Sequence, residues 1–158
     1  AIRAFALLRS TYPQARLTLT GTGPELGRLQ QVAKEKGLAD AVHFAGRLDS
    51  SQMADLYRSA QLMWNPSLVD NMPNSVLEAM AHGCLPILSD LPANRELVRD
   101  RDNGLIVPEG ALLSAAELAA FLPRADATAA ANRAWVQEQA LFAPCVQRFV
   151  ARLAEIQS

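Results

Sequence analysis

Short apolar runs and amphipathic helical stretches exchange with one another along almost the whole of this chain. That exchange limits the fold more than any other feature. Residues 1–12 carry Ile2, Phe5, Ala6 and Leu8 at helical spacing, and Pro13 stops them. "ARLTLTGTGP" is a short β-rich run ending in glycines. "PELGRLQQVAKEKG" reads as a helix with proline at its start and Gly37 at its end. "AVHFAG" is a strand, and "DSSQMADLYRSA" a helix capped by Asp49, Ser50 or Ser51. "QLMWNPS" is a strand broken at Pro66, followed by a helix in "PNSVLEAMAHG" that stops at Gly83. "LPILSD" is a buried strand, "PANRELVRD" a short helix, "NGLIVPEG" a strand and "SAAELAAFL" a helix. The alanine-rich remainder is helical, with Trp135, Val136, Leu141, Phe142, Phe149 and Leu153 as apolar anchors.

Strands that are apolar on both faces, alternating with helices, give an α/β fold: a Rossmann-like parallel sheet flanked by helices. The size agrees with this. The chain has 158 residues, 50% hydrophobic and 20% charged, enough for one domain with a real core. We therefore expect a single domain over residues 1–158, with 125–158 a C-terminal helical segment. Fifteen basic and sixteen acidic residues give a net charge of −1, so no basic surplus points to nucleic acid or to an anionic membrane. Cys84 and Cys145 form neither a CxxC pair nor a disulfide framework, which fits a reducing, cytoplasmic setting. No apolar run approaches the roughly 20 residues of a membrane helix, and no signal peptide is visible. The chain opens "AIRAFALLRSTYP", without methionine and already inside a helical pattern. A fragment lacking its N-terminal part is expected.

In open parallel sheets, ligands sit beyond the carboxyl ends of the strands. The residues there are "GTGP", "GRLDSS", "PSLVDNMPN" and "SDLPANRE". Gly21 and Gly23 permit a tight turn and close backbone approach, though the pattern is neither GxGxxG nor a Walker loop, and an ordinary strand-to-helix turn explains it too. In "VDNMPNSVLEAMAHG", Pro73 near the first helical turn leaves unpaired N–H groups facing the preceding loop, a ready seat for phosphate. Asn74 and Glu78, four apart, share one helix face, and Asp70 precedes them. Acids beside a phosphate seat make sense if the ligand also carries hydroxyls. Carboxylates accept from sugar hydroxyls, and such charged bonds contribute roughly 1.5–3 kcal/mol each. A nucleotide sugar, with sugar, diphosphate and ribose, has this layout. A capping Asp70 and a solvated Glu78 are the competing reading, and the residues leave both open.

The order of segments is more specific. "RAFALLRSTYPQARLTLTGTGPE", "VHFAGRLDSSQMADLYRSAQLMWNPS", "DNMPNSVLEAMAHGCLPILSD" and "NRELVRDRDNGLIVP", over about residues 1–110, resemble the donor-binding half of a retaining GT-B glycosyltransferase of the bacterial group-1 (family 4) type. The resemblance implies one half of a two-domain enzyme. The other domain, which would carry the acceptor site, is the implied partner, along with a nucleotide-sugar donor. It implies no catalytic metal and no other cofactor. In the family, two acids of an E-x7-E element contact the donor. Carried over, Asp70 lies by the transferred sugar as the catalytic position, and Glu78 binds the ribose hydroxyls. Asp70 stands where the family has Glu, and Asn71 and Met72 stand where it has glycines. The backbone amides of Asn71, Met72, Pro73 and Asn74 form the stretch facing sugar and phosphates, with Asn71, Met72 and Asn74 supplying the N–H groups. Arg47 and Leu48 border the place of the base.

An arginine and a lysine that neutralise the diphosphate lie, in the family, ahead of the helix with which this chain starts. A diphosphate leaving group needs such positive charge. The chain alone is therefore expected to have little or no transferase activity. The whole enzyme would be cytoplasmic, with peripheral attachment to the inner membrane face through the other domain left open. A GT-B nucleotide-sugar epimerase and a non-catalytic module binding a nucleotide sugar or a protein remain as alternatives. "DRD" at Asp100–Asp102 and the histidines His43 and His82 lack the setting of a metal site, and Cys84 begins a strand where packing explains it. Glu96 matches an acid in the family's closing segment.

Overall fold

The computed structural model describes residues 1–69, 74–141, 143 and 145–148. Seven helices and five strands alternate among them: α1 (Ile2–Thr11), β1 (Leu17–Thr20), α2 (Leu26–Glu35), β2 (Val42–Gly46), α3 (Ser50–Ser59), β3 (Leu62–Asn65), α4 (Asn74–Ala81), β4 (Leu85–Ser89), α5 (Pro92–Leu97), β5 (Leu105–Val107), α6 (Ala115–Phe121) and α7 (Ala125–Trp135). A 3-10 turn, Leu122–Arg124, joins α6 to α7, and a π-helical turn, Val136–Ala140, extends α7. All strand pairs are parallel, as the alternation predicts.

One expectation is corrected. The strands form two sheets rather than one: β1 with β2, and β3-β4-β5 with β4 in the centre. Helix α1 spans both. Its Ile2 and Phe5 pack with Ala33, Leu38 and Val42 beside the first sheet, while Leu8 joins Leu85, Ile87 and Leu105 of the second. A second correction concerns the faces of the strands. Only β4 is apolar and buried through its first four residues; in β1, threonines alternate with leucines and no residue is fully buried.

Pro86 lies inside the central strand, where proline is usually excluded because it cannot donate to the ladder. The register explains its presence. Leu85 N donates to Gln61 O on the β3 side. One residue later the backbone turns toward β5, whose pairing with β4 begins only at Ile87↔Leu105. The missing N–H therefore leaves no ladder bond unmade. Gly104 fills the adjacent space; a Cβ there would lie 2.7 Å from Pro86 O and 2.8 Å from Val98 Cγ1.

Two helices begin with reciprocal caps. The Asp49 carboxylate accepts from Gln52 N, and the Gln52 side chain accepts from Asp49 N. Ser114 and Glu117 repeat the arrangement on α6. These caps fix where the chain leaves β2 and where it re-enters helix after β5.

Candidate functional site

The carboxyl ends of β1 and β2 are tied together. Gly21 N donates to Gly46 O at 2.6 Å. Gly21 has φ +99°, the left-handed region that an L side chain rarely adopts, so glycine is required there by the backbone. Gly23 has ordinary backbone geometry and open space around it, and its turn would accept another residue. Arg47 is exposed and Leu48 half-buried immediately after β2, just ahead of the Asp49 cap. This edge presents backbone and a cation to solvent.

Helix α4 supplies the second group. Its Val76, Ala79 and Met80 are completely buried, which turns the opposite face outward. Asn74 and Glu78 stand on that outward face, both exposed and one turn apart. Beside α4, Tyr57 of α3 is buried and stacks on His82, ring centroids 6.2 Å apart at 17°. Burial, with a further contribution from the Glu78 carboxylate, holds the Tyr57 phenol above its usual pKa. Glu78 therefore lies at the surface close to an aromatic wall. Asp70, Asn71, Met72 and Pro73 lie outside the described residues.

The third group joins the ends of β3 and β4. The Ser89 hydroxyl donates to Ser67 O across the two loops. Ser67 N donates to Asn65 Oδ1 at 3.1 Å, and Ser67 Oγ donates to Val69 O at 2.9 Å. Asn94, fully buried in α5, donates from Nδ2 to Ser89 O at 2.8 Å. On the outer side of the same turn, Arg95 grips Asp90 with two bonds of 2.5 and 2.8 Å, and this hydrogen bonding holds the Asp90 carboxyl below its ordinary pKa.

The structure thus brings Gly21 to the end of β2, where Arg47 and Leu48 follow, and sets Asn74 and Glu78 on one face. Glu96 lies elsewhere. It lines a cleft of about 490 Å³ between α5 and α7, with Arg99, Arg124 and Trp135, near the amino end of β5. The carboxylates of "DRD" have local partners: Asp100 accepts from Ile106 N, and Asp102 from Arg99. No group of three or more His, Cys, Asp or Glu residues suited to a metal ion occurs among the described residues. Cys84 is buried against Tyr57 O and Ala60 O, and burial pushes its thiol up to about 11. A group so hard to ionise is a poor nucleophile. The Asn94–Ser89–Ser67 network was not legible in the sequence. Its one local hint is an asparagine within the short apolar-faced helix "PANREL", where an apolar residue would pack more simply.

The geometry is that of a parallel α/β unit. The model of the family described as glycosyl transferases, group 1, matches residues 1–124. The chain belongs to that family. Among relatives of this group 1 chain, the GDP-mannose:cellobiosyl-diphosphopolyprenol alpha-mannosyltransferase of Xanthomonas oryzae is 31% identical over 121 residues, covering 73% of this chain and 32% of that protein. The C-terminal domain of a group 1 glycosyl transferase from Francisella tularensis superposes with a TM-score of 0.73 at 23% identity, over 89% of this chain and 77% of that one. An Anabaena protein crystallised with UDP and glucose gives 0.74 at 22% identity, over 98% and 43%. The fold is the Rossmann-like half of a GT-B glycosyltransferase. The chain spans about a third or less of the length of the curated relatives it matches. No helix among the described residues is long and apolar enough to cross a membrane.

Proposed function

We propose that this chain is the donor-binding part of a retaining glycosyltransferase that moves a sugar from a nucleotide donor to a glycan, lipid or small-molecule acceptor. The observation that carries this reading is the family match over residues 1–124. The exposed pair Asn74 and Glu78 on α4 is consistent with it, as is the UDP and glucose bound by the Anabaena neighbour. The acceptor site lies in a second domain of the longer protein, and the transfer uses no metal. The enzyme works in the cytoplasm, and any hold on the membrane comes from that second domain.

In this reading Glu78 accepts hydrogen bonds from the ribose hydroxyls. The preceding stretch, Asn71 to Asn74, offers its backbone amides to the sugar and the phosphates. Asp70 stands beside the transferred sugar, one methylene shorter than glutamate. Gly21, Gly23, Arg47 and Leu48 border the nucleotide, with backbone at Arg47 and Leu48 reading the base. Binding by hydroxyl-accepting carboxylates and amides orients the donor; the positive charge that a departing diphosphate needs comes from outside these residues.

Titration of the chain with UDP, GDP and ADP tests this. One nucleotide binds, and Glu78→Ala weakens it about tenfold, the range for a bond to a charged acceptor. Affinity unchanged in that variant would remove Glu78 from the donor site. Product analysis on the longer protein separates a transferase from an epimerase and from a non-catalytic binding module.

A further inference from the structure

The cleft of about 490 Å³ between α5 and α7 contains none of the residues assigned above to a nucleotide donor. Its volume falls within the roughly 300–1,000 Å³ of small-molecule pockets. Arg124 and one face of α7, at Ala127, Thr128, Ala131 and Trp135, form its floor. Glu96 of α5 and the turn from Arg99 to Asn103 form the opposite wall. Hydrogen bonds join the two. Asn132 Nδ2 donates to Asn103 O at 2.7 Å, and Arg124 donates to Arg101 O and Asp102 O. Within the turn, Asn103 Nδ2 donates to Leu97 O at 3.0 Å, and Asn103 Oδ1 accepts from Arg99 N at 2.7 Å. Arg101 there has φ +61°, the left-handed region that a non-glycine residue holds only with such support. The cleft is thus built before any ligand arrives, and little ordering is left to a binding step.

Trp135 decides what kind of ligand fits. It reads in the sequence as an apolar anchor, yet it is 39% exposed and joins none of the core clusters among the described residues. It ends α7, where the helix passes into the π-helical turn Val136–Ala140; such turns are rare and gather at functional sites. An indole left open among polar groups offers a flat apolar face. In the same cleft, Asn132 is 2% exposed, and its Oδ1 accepts from no donor among the described residues. Glu96 is exposed and makes no ion pair among them either.

Charge argues against an ionic ligand. The charged lining residues are Arg99 and Arg124 against Glu96 and Asp102, so their formal charges cancel. Arg99 Nε is already bonded to Asp102 at 2.8 Å, and Arg124 to main-chain carbonyls. No net charge favours a phosphate or an ammonium. What remains are acceptors at Glu96 and Asn132 Oδ1, donors at the terminal nitrogens of Arg99, and one aromatic face. A sugar ring is the complement: each hydroxyl both donates and accepts, and its C–H face stacks on an indole.

We propose that the α5–α7 cleft binds a neutral mono- or disaccharide unit, with Trp135 as its stacking platform and Glu96 and Asn132 as hydroxyl acceptors. The proposal does not depend on the donor-binding reading.

The test titrates the chain with methyl α-glucoside, methyl α-mannoside, maltose and cellobiose, and with inorganic phosphate and betaine as the anionic and cationic rivals. Two-dimensional NMR reads the Trp135 indole N–H and the amides of residues 96–103 and 124–135. At least one sugar should shift these signals saturably, while phosphate and betaine leave them in place. Trp135→Ala should weaken that sugar about tenfold, and Trp135→Phe, which keeps a ring, less than about threefold. Glu96→Ala should weaken it about tenfold through the lost charged acceptor. Both side chains are exposed, so these variants should keep the wild-type amide spectrum away from the cleft; if Trp135→Ala does not, Trp135→Phe and Glu96→Ala decide the matter. The proposal is overturned if no sugar shifts these signals, or if phosphate or betaine does so instead. Shifts confined to residues 21–23, 46–48 and 74–78 would put the sugar at the donor mouth and overturn it as well. So would wild-type affinity in a folded Trp135→Ala or Glu96→Ala.

Discussion

β3 and β4 are both short apolar strands, "LMWN" and "LPILS", yet β4 is buried through Leu88 while every residue of β3 is only half-buried. The difference is pairing. β4 has a neighbour on each edge, β3 on one. The contrast widens between the two halves of the molecule. Around β4, the helix α4 places Val76, Ala79 and Met80 at 0% exposure. Around β1 and β2, helix α2 buries one residue, Ala33, and β1 buries none. The same β–α units therefore make a tight core in one half and a shallower one in the other. A strand's own hydrophobicity sets a limit on burial, and its place in the sheet decides how much of that limit is reached.

The sharpest way to break this comparison is to truncate matched leucines. Leu88→Ala, at the end of the buried run of β4, should cost roughly 2–5 kcal/mol, while Leu19→Ala in β1 should cost less than half of that. Urea unfolding midpoints measure both. Equal losses would mean that the two halves share one core.

Glycines offer a smaller and more specific contrast. Gly104→Ala forces a methyl group against Pro86 O and Val98 in the packed half, and overpacking of this kind costs roughly 1–3 kcal/mol. Gly21→Ala meets open space in the other half but keeps φ +99°, so its cost, about 1–2 kcal/mol, is backbone strain alone. A compensating Val98→Ala should recover part of the first loss and none of the second. Recovery in both would refute the distinction between crowding and strain.

The effect least visible at neutral pH is a pH dependence in the packed half. The Cys84 thiol has an ordinary value of 9.0 and is pushed up to about 11 by burial. Below pH 9 both folded and unfolded chains keep the proton, and the stability is fully present. As pH rises from 9 toward 11 only the unfolded chain releases it, so stability falls across that window. Cys84→Ala should flatten this part of the curve. Thiol labelling at neutral pH should reach the exposed Cys145 well before Cys84; equal rates would show that the packed half opens as readily as the surface.

Much of the architecture was legible locally. The helix starts at Asp49 and Ser50, the stops at Gly37 and Gly83, and the buried run "LPIL" all follow from residues within a few positions of one another. The likeness of segment order to group 1 glycosyl transferases was legible for the same reason. Asn74 and Glu78 share a face because four residues make about one turn. The single sheet was misread because periodicity identifies strands but carries no information on which strand lies beside which. β1 was misread as apolar on both faces although its threonines alternate with its leucines. Glu96 could be matched by position, but its place in the cleft beside α7 depends on how two distant helices cross.

Chain-local chemistry, then, determined the alternating α/β elements, their caps and turns, and the family to which they belong. The tertiary structure alone decided that the strands divide into two sheets, that β4 rather than β1 becomes the core, and that Asn94 is buried with its amide bound to Ser89. Each of these depends on contacts between segments far apart in sequence. The hydrogen-bonding and apolar groups that make them are present in the residues, but their partners are chosen only when the layers pack.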